Sequence, residues 1–165
     1  MAVVWTVACG ARAPGVCGDD YEATVADFDC LLALPEVKGV RVLNRCGAQP
    51  AAEAILRDGA QGARFPVGTI LQVIPTEAMV KRGPGYDPAN HDWEYVMLGG
   101  NPVGSRITDR GRAEVHNPVG SCLECHAGAR DYDFICAGGH GCDALPLPHT
   151  ALEALQRMDA RCLPP

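Results

Sequence analysis

The sequence has few basic residues and no long apolar run. Lys and Arg make up 14 of its 165 residues, against 20 Asp and Glu, and they are scattered rather than clustered. A nucleic-acid binder needs grouped positive charge against phosphates, so we expect no nucleic-acid partner. No apolar stretch approaches the roughly 18 residues that cross a bilayer. Aromatic residues reach only 5%, yet 47% of the residues are hydrophobic, which suits the core of one domain.

The chain is rich in turn-forming residues, with 19 Gly and 13 Pro, and this favours short elements. β-branched or alternating segments predict strands at residues 37–43, 65–74, 77–82 and 93–98. Apolar residues at helical spacing predict helices at residues 20–34, 50–56 and 150–161. The predicted fold is mainly β (α+β), an antiparallel β-sheet domain with short flanking helices and a C-x-x-C-H segment described below.

Two regions are predicted in less detail. Residues 99–120 are turn-rich, with short extended pieces expected around Ile107 and Val115. The last helix is expected to begin after the cap residue Thr150 and to bury a stripe of Leu152, Leu155 and Met158.

The first residues form a predicted tail. We divide the chain into a flexible tail at 1–19 and a single domain at 20–165. Thr6, Val7 and Ala8 before Cys9 resemble the end of a bacterial lipoprotein signal, which would anchor the protein by a lipid at Cys9. A signal needs a basic start, however, and no Lys or Arg precedes Arg12. The alternative is a disordered terminus that carries an unrelated cysteine.

The strongest signal is the C-x-x-C-H pattern formed by Cys122, Cys125 and His126, which is the attachment signature of c-type haem. Two thiols one helical turn apart can each add to a vinyl group of the porphyrin. The tether then places the following imidazole at the iron as an axial ligand. We therefore predict one covalently attached haem c, with His126 as the iron ligand.

Other uses of this cysteine pair remain as alternatives. A structural zinc site usually needs a second ligand pair, and Cys136 and Cys142 are spaced too widely for a usual zinc knuckle. A thioredoxin-like redox pair follows a βαβ pattern, whereas Gly- and Pro-rich sequence precedes Cys122. An accidental match in a cysteine-rich chain is the third.

Haem attachment also predicts a compartment. In bacteria the thioethers form outside the cytoplasm, where thiols tend to become disulfides, so we expect a periplasmic or extracytoplasmic protein. The chain has nine cysteines. If two attach haem and Cys9 carries a lipid or remains a free thiol, the other six can form three disulfides. Their pairing is left open by the sequence. The six are Cys17, Cys30, Cys46, Cys136, Cys142 and Cys162.

Residues 65–134 resemble the cytochrome P-460 family, which includes the cytochromes c′-beta. The matching pieces occur in the family's order and cover a little under half of the chain. The tail from Cys136 onward has no match. The pieces are Phe65-Pro-Val-Gly-Thr-Ile70, Met79-Val-Lys-Arg-Gly-Pro-Gly-Tyr-Asp-Pro88, Asp92-Trp-Glu-Tyr95, Ser121-Cys-Leu-Glu-Cys-His126 and Asp131-Tyr-Asp-Phe134.

The resemblance implies a β-sheet fold, a homodimer and a five-coordinate haem with His126 as proximal ligand. It also implies that Lys81 occupies the position of a lysine that some members join covalently to the porphyrin edge. Met79 and Lys81 share one face of a strand, and burial on that face would favour the neutral, nucleophilic amine. The alternative is a solvated lysine at the start of the following loop.

The distal side of the haem is left open by the sequence. The resemblance implies an enzyme that oxidises hydroxylamine or nitric oxide, as some family members do, or a binder of diatomic gases, as others are. Oxidation of hydroxylamine needs a carboxylate that accepts protons, and the candidates are Glu77, Asp92, Glu94 and Asp131. A methionine sixth ligand is less favoured than core packing; the candidates are Met79, Met97 and Met158. Of the other histidines, His140 is expected in a loop tied by a Cys136–Cys142 disulfide, and the remaining three are expected at the surface. Those three are His91, His116 and His149.

The resemblance to the cytochrome P-460 family implies the first two of three candidate functions, and the haem motif by itself is also consistent with the third. The first is a haem oxidoreductase that acts on a small nitrogen compound such as hydroxylamine or nitric oxide and passes electrons to a redox partner protein. The second is a binder of diatomic gases without turnover, and the third is an electron carrier with both axial positions filled. The acidic charge favours a basic redox partner. Whether the protein is an enzyme is left undecided by the sequence.

Overall fold

Six strands form an antiparallel meander at the centre of the structure, in the order β1 to β6. The computed structural model describes residues 17–142 and 147–163. Each strand pairs with the next along the chain, so the mainly β, antiparallel prediction is confirmed. The strands are β1 (Glu36–Val37), β2 (Val40–Asn44), β3 (Thr69–Gln72), β4 (Glu77–Lys81), β5 (Trp93–Asn101) and β6 (Gly104–Gly111).

Short helices and a small hairpin flank this sheet. Helix α1 begins with Pro50 in its first turn and ends at Gly59, whose φ of 60° terminates it. A two-stranded hairpin of β7 and β8 leads directly into α2. The bounds are α1 (Gln49–Asp58), β7 (His116–Asn117), β8 (Gly120–Ser121), α2 (Cys122–His126) and α3 (His149–Arg157).

Alternation of side chains along the strands divides the core between the two faces of the sheet. The front core includes Met79, Trp93 and Tyr95, packed against α1 and α2. The back core includes Val80 and Val96, covered by Ala23 and Phe28 of the N-terminal segment. Thus Trp93 and Tyr95 are core residues, as predicted, and the front face of the sheet is the one that supports the C-x-x-C-H helix.

The helix predicted at residues 20–34 is wrong. The segment forms two 3₁₀ turns, Val25–Asp27 and Leu31–Ala33. Asp27 accepts a hydrogen bond from the Thr24 N–H, and the Leu31 N–H donates to Asp159 Oδ2 at 2.8 Å, 128 residues away. These carboxylates accept hydrogen bonds from backbone N–H groups that would donate to backbone carbonyls in a continuous helix.

Two further differences from the expected elements concern strand β6 and the last helix, α3. The extended piece around Ile107 is part of β6, an eight-residue strand. Helix α3 has Pro148 rather than Thr150 as its N-cap and ends at Arg157. Met158 is 74% exposed while Gln156 is buried, because the Gln156 amide donates to Gly39 O and Val73 O.

None of the helices in the described ranges has the length and apolar character of a membrane span. The predicted tail lies outside the described residues except for its last part. There Cys17 is joined by a disulfide to Cys46, in the loop between β2 and α1.

Candidate haem-attachment site

Six described cysteines are paired, and the C-x-x-C-H cysteines are not. The disulfides are Cys17–Cys46, Cys30–Cys162 and Cys136–Cys142. Cys122 and Cys125 are the free cysteines of the described residues. The prediction that the other six cysteines form three disulfides is therefore confirmed, whereas Cys9 lies outside the described residues.

The free pair lies on helix α2, which begins at Cys122. The Ser121 hydroxyl caps it by accepting a hydrogen bond from the Glu124 N–H at 3.4 Å. Cys122 is buried against the front core and Cys125 is exposed. Burial raises the pKa of the Cys122 thiol to about 11, so this thiol is neutral at physiological pH. Two reduced thiols thus lie one helical turn apart, as thioether attachment requires.

The His126 ring is oriented by one hydrogen bond. Its Nδ1 lies 2.7 Å from the carbonyl oxygen of Phe134, so Nδ1 carries the proton and Nε2 keeps its lone pair. The ring also packs against Tyr95, with centroids 5.7 Å apart. Burial lowers the pKa of His126 and keeps the imidazole neutral. A neutral imidazole with Nε2 available is the form that binds iron.

The Phe134 carbonyl belongs to a strained turn. Asp133 and Phe134 both have positive φ, 56° and 62°, which costs about 1–3 kcal/mol for each non-glycine residue. The disulfide loop 136–142 follows at once. A Cβ on Gly128, just after α2, would collide with the Gly141 carbonyl of this loop, so the close contact requires glycine.

Lys81 lies on the front side of the sheet, as its strand pattern predicted, and it is buried there. Its Nζ is 2.8 Å from Asp133 Oδ2 and 2.7 Å from His91 O. Burial lowers the pKa of Lys81, and the charge of Asp133 opposes this shift. The amine therefore forms an ion pair instead of being solvated.

Asp133 is the residue that sequence reasoning missed. Its side chain is fully buried and accepts from the Phe65 N–H at 2.8 Å in addition to Lys81. His91 Nδ1 lies 3.2 Å from the same carboxylate, so the prediction that His91 is a surface residue is wrong. The exposed positions of His116 and His149 are as predicted. An aspartate between two aromatic residues was the available signal, but its partners lie far away in the sequence.

Among the four candidate carboxylates, Glu77 is the one near the cysteine helix. It begins β4, and its charge adds to the burial that raises the pKa of Cys122. Burial raises the pKa of Glu77 above its ordinary value of 4.5. Its carboxyl group is therefore a better proton acceptor than a solvated one.

The other three carboxylates are engaged elsewhere. Asp92 accepts hydrogen bonds from two backbone N–H groups of its own loop. Glu94 is buried on the back face between Arg82 and Arg110. Asp131 is exposed.

The remaining candidates are packing residues or exposed. Met79 is in the front core and Met97 packs against it, as predicted, whereas the core position expected for Met158 is wrong. His140 lies in the loop closed by the Cys136–Cys142 disulfide, as predicted, and stacks on Tyr132 with ring centroids 3.9 Å apart. In the part of the chain that the structure describes, no group of three or more His, Cys, Asp or Glu converges to hold a metal ion.

The donor set fits a covalently attached haem. It supplies two reduced thiols at the required spacing and an imidazole whose other nitrogen is held by a carbonyl. Partly buried apolar side chains, among them Met97 and Leu123, pack against the front core. No family model, curated protein or solved structure matches this chain.

Proposed function

We propose that this chain is a c-type mono-haem protein, similar to the cytochrome P-460 family, that oxidises hydroxylamine or nitric oxide. One observation carries the proposal: of the cysteines in the described ranges, the C-x-x-C-H pair alone is not disulfide-bonded, and it lies beside a histidine whose Nδ1 is held by a carbonyl. The three disulfides support assembly outside the cytoplasm. A homodimer, a basic redox partner and a lipid at Cys9 remain parts of the proposal.

Each residue of the site has a defined task. When bound, the haem would supply an iron that binds a small ligand and accepts electrons. Cys122 and Cys125 would attach it, and His126 would present Nε2 from a ring that Phe134 O holds in place. Glu77, with its raised pKa, would accept protons released by the substrate.

The double change Cys122→Ala with Cys125→Ala should abolish covalent haem. The chain is produced in a bacterial periplasm with the haem-attachment machinery, and its intact mass is measured after denaturation. We expect the wild type to carry the added mass of one haem and the variant to carry none. The double change Cys136→Ala with Cys142→Ala removes as many cysteines and should keep the haem. An unmodified wild-type mass would refute the proposal.

Gas binding without turnover is the second candidate, and the ion pair of Lys81 favours it. An ammonium held 2.8 Å from Asp133 is not the free amine that attacks a porphyrin edge. Mass spectrometry of the peptide containing Lys81, together with the absorption spectrum of the reduced protein, separates the candidates. A crosslink and a red-shifted Soret band would support the oxidase. A normal c-type spectrum that responds to carbon monoxide would support the binder, and no response would indicate a six-coordinate carrier.

Glu77→Gln should slow hydroxylamine oxidation by about 10²–10⁴-fold and leave haem attachment unchanged, because the amide cannot accept a proton. In the wild type the rate should rise with pH through the pKa of Glu77, which lies above 4.5. The variant should lack that step. Initial rates against pH test this, with Asp131→Asn as the control at an exposed carboxylate. Equal pH profiles for wild type and Glu77→Gln would exclude Glu77 as the base.

A further inference from the structure

We propose that Lys81 and Asp133 are positioning residues for His126. Their ion pair holds the Asp133–Phe134 turn in the conformation that directs the Phe134 carbonyl at His126 Nδ1. The inference deepens the proposed function and rests on it in one respect, that His126 is an iron ligand. It also gives Lys81 a role that needs no bond to the porphyrin.

The turn needs external support because its backbone conformation is unfavourable. Asp133 has φ 56° and ψ 35°, and Phe134 follows with φ 62°. Two consecutive non-glycine residues rarely adopt this region without surrounding structure that imposes it. Within the local segment, the Phe134 N–H donates to Ala129 O at 2.9 Å.

The support comes from the sheet, through Asp133. Its carboxylate oxygens lie 2.8 and 2.9 Å from Lys81 Nζ on β4. One of them also accepts from the Phe65 N–H at 2.8 Å. The Asp133 carbonyl accepts from the indole Nε1 of Trp93 on β5 at 2.7 Å. The turn is therefore attached to two neighbouring strands and to the segment before β3.

Asp133, which is bound to the sheet, directly precedes the residue whose carbonyl contacts His126. Phe134 O, in the residue after Asp133, lies 2.7 Å from His126 Nδ1. A turn released from the sheet could return to negative φ and rotate this carbonyl away. His91 Nδ1 and Arg64 Nε also approach Asp133, at 3.2 and 3.7 Å, and both remain when Lys81 is changed. The decisive change is therefore at Asp133, which all of them contact.

The test compares Asp133→Asn with two other variants of the full chain. Trp93→Phe removes one hydrogen bond to the turn and keeps an aromatic ring, so it remains informative if Asp133→Asn does not fold. Glu94→Gln is the matched control, because Glu94 is an equally buried carboxylate between cations on the back face. The first measurement is the NMR signal of the His126 Nδ1 proton in the haem-free chain. The second is the iron–histidine stretching frequency of the reduced, haem-loaded protein.

We expect Asp133→Asn to lose the exchange-protected Nδ1 proton and to shift the stretching frequency downward, because a weaker hydrogen bond makes the imidazole a weaker donor. Trp93→Phe should cause smaller changes in the same direction, and Glu94→Gln none. Wild-type values in Asp133→Asn, or equal changes in Glu94→Gln, would overturn the inference. If the wild type itself carries no haem, the proposed function fails, while the Nδ1 signal still decides whether the ion pair positions the ring.

Discussion

Lys81→Met should lower the free energy of unfolding by about 3–5 kcal/mol, because it leaves a buried carboxylate without its cation. The Asp133 side chain is fully buried and Lys81 is 6% exposed. The nearby His91 compensates weakly, since burial lowers its pKa, and Arg64 is half-exposed. The variant also loses the hydrogen bond from Nζ to His91 O.

Denaturant unfolding at pH 7 measures this loss. The double variant Lys81→Met with Asp133→Asn should be more stable than Lys81→Met alone, because the second change removes the unpaired charge. Arg57→Met is the control: it removes an exposed cation from its pair with Glu53 and should cost about 0–1 kcal/mol. A Lys81→Met variant no less stable than the control would mean that the buried pair contributes nothing to folding.

The sequence predicted those features that depend on neighbouring residues. Period-two alternation placed Met79 and Lys81 on one strand face, and both are buried on the front side. The helix predicted at residues 50–56 lies within α1 (Gln49–Asp58). The spacing of Cys122 and Cys125 likewise separated them from the six cysteines that pair. Each of these signals lies within a few residues of the structure that it predicts.

What depends on distant residues could not be predicted. Apolar spacing at residues 20–34 resembles a helix, but Asp159 takes a backbone N–H of that segment from the other end of the chain. Asp133 contacts Lys81 across 52 residues, so one sequence shows neither the ion pair nor its link to His126. Which cysteines pair as disulfides also depends on contacts between distant parts of the chain. The C-x-x-C-H residues could therefore be recognised from the sequence, whereas the residues that contact them required the structure.

The Cys30–Cys162 disulfide should contribute the largest share of stability among the three. It closes a loop of 132 residues between the 3₁₀ turn at Leu31–Ala33 and the one at Ala160–Cys162. By the chain-entropy relation, its removal should cost about 5 kcal/mol, against about 2 kcal/mol for a six-residue loop. The hydrogen bond from the Leu31 N–H to Asp159 joins the same two turns and would be weakened with the disulfide.

The matched comparison uses two double alanine variants, Cys30→Ala with Cys162→Ala and Cys136→Ala with Cys142→Ala. The second disulfide has a sequence separation of 6 and adjoins His126, with Cys136 Sγ 3.6 Å from its Nδ1. We expect the first variant to lose the greater stability in denaturant unfolding and the second to change the His126 environment more. Equal losses of stability would show that native contacts, and not loop length, determine what each disulfide contributes.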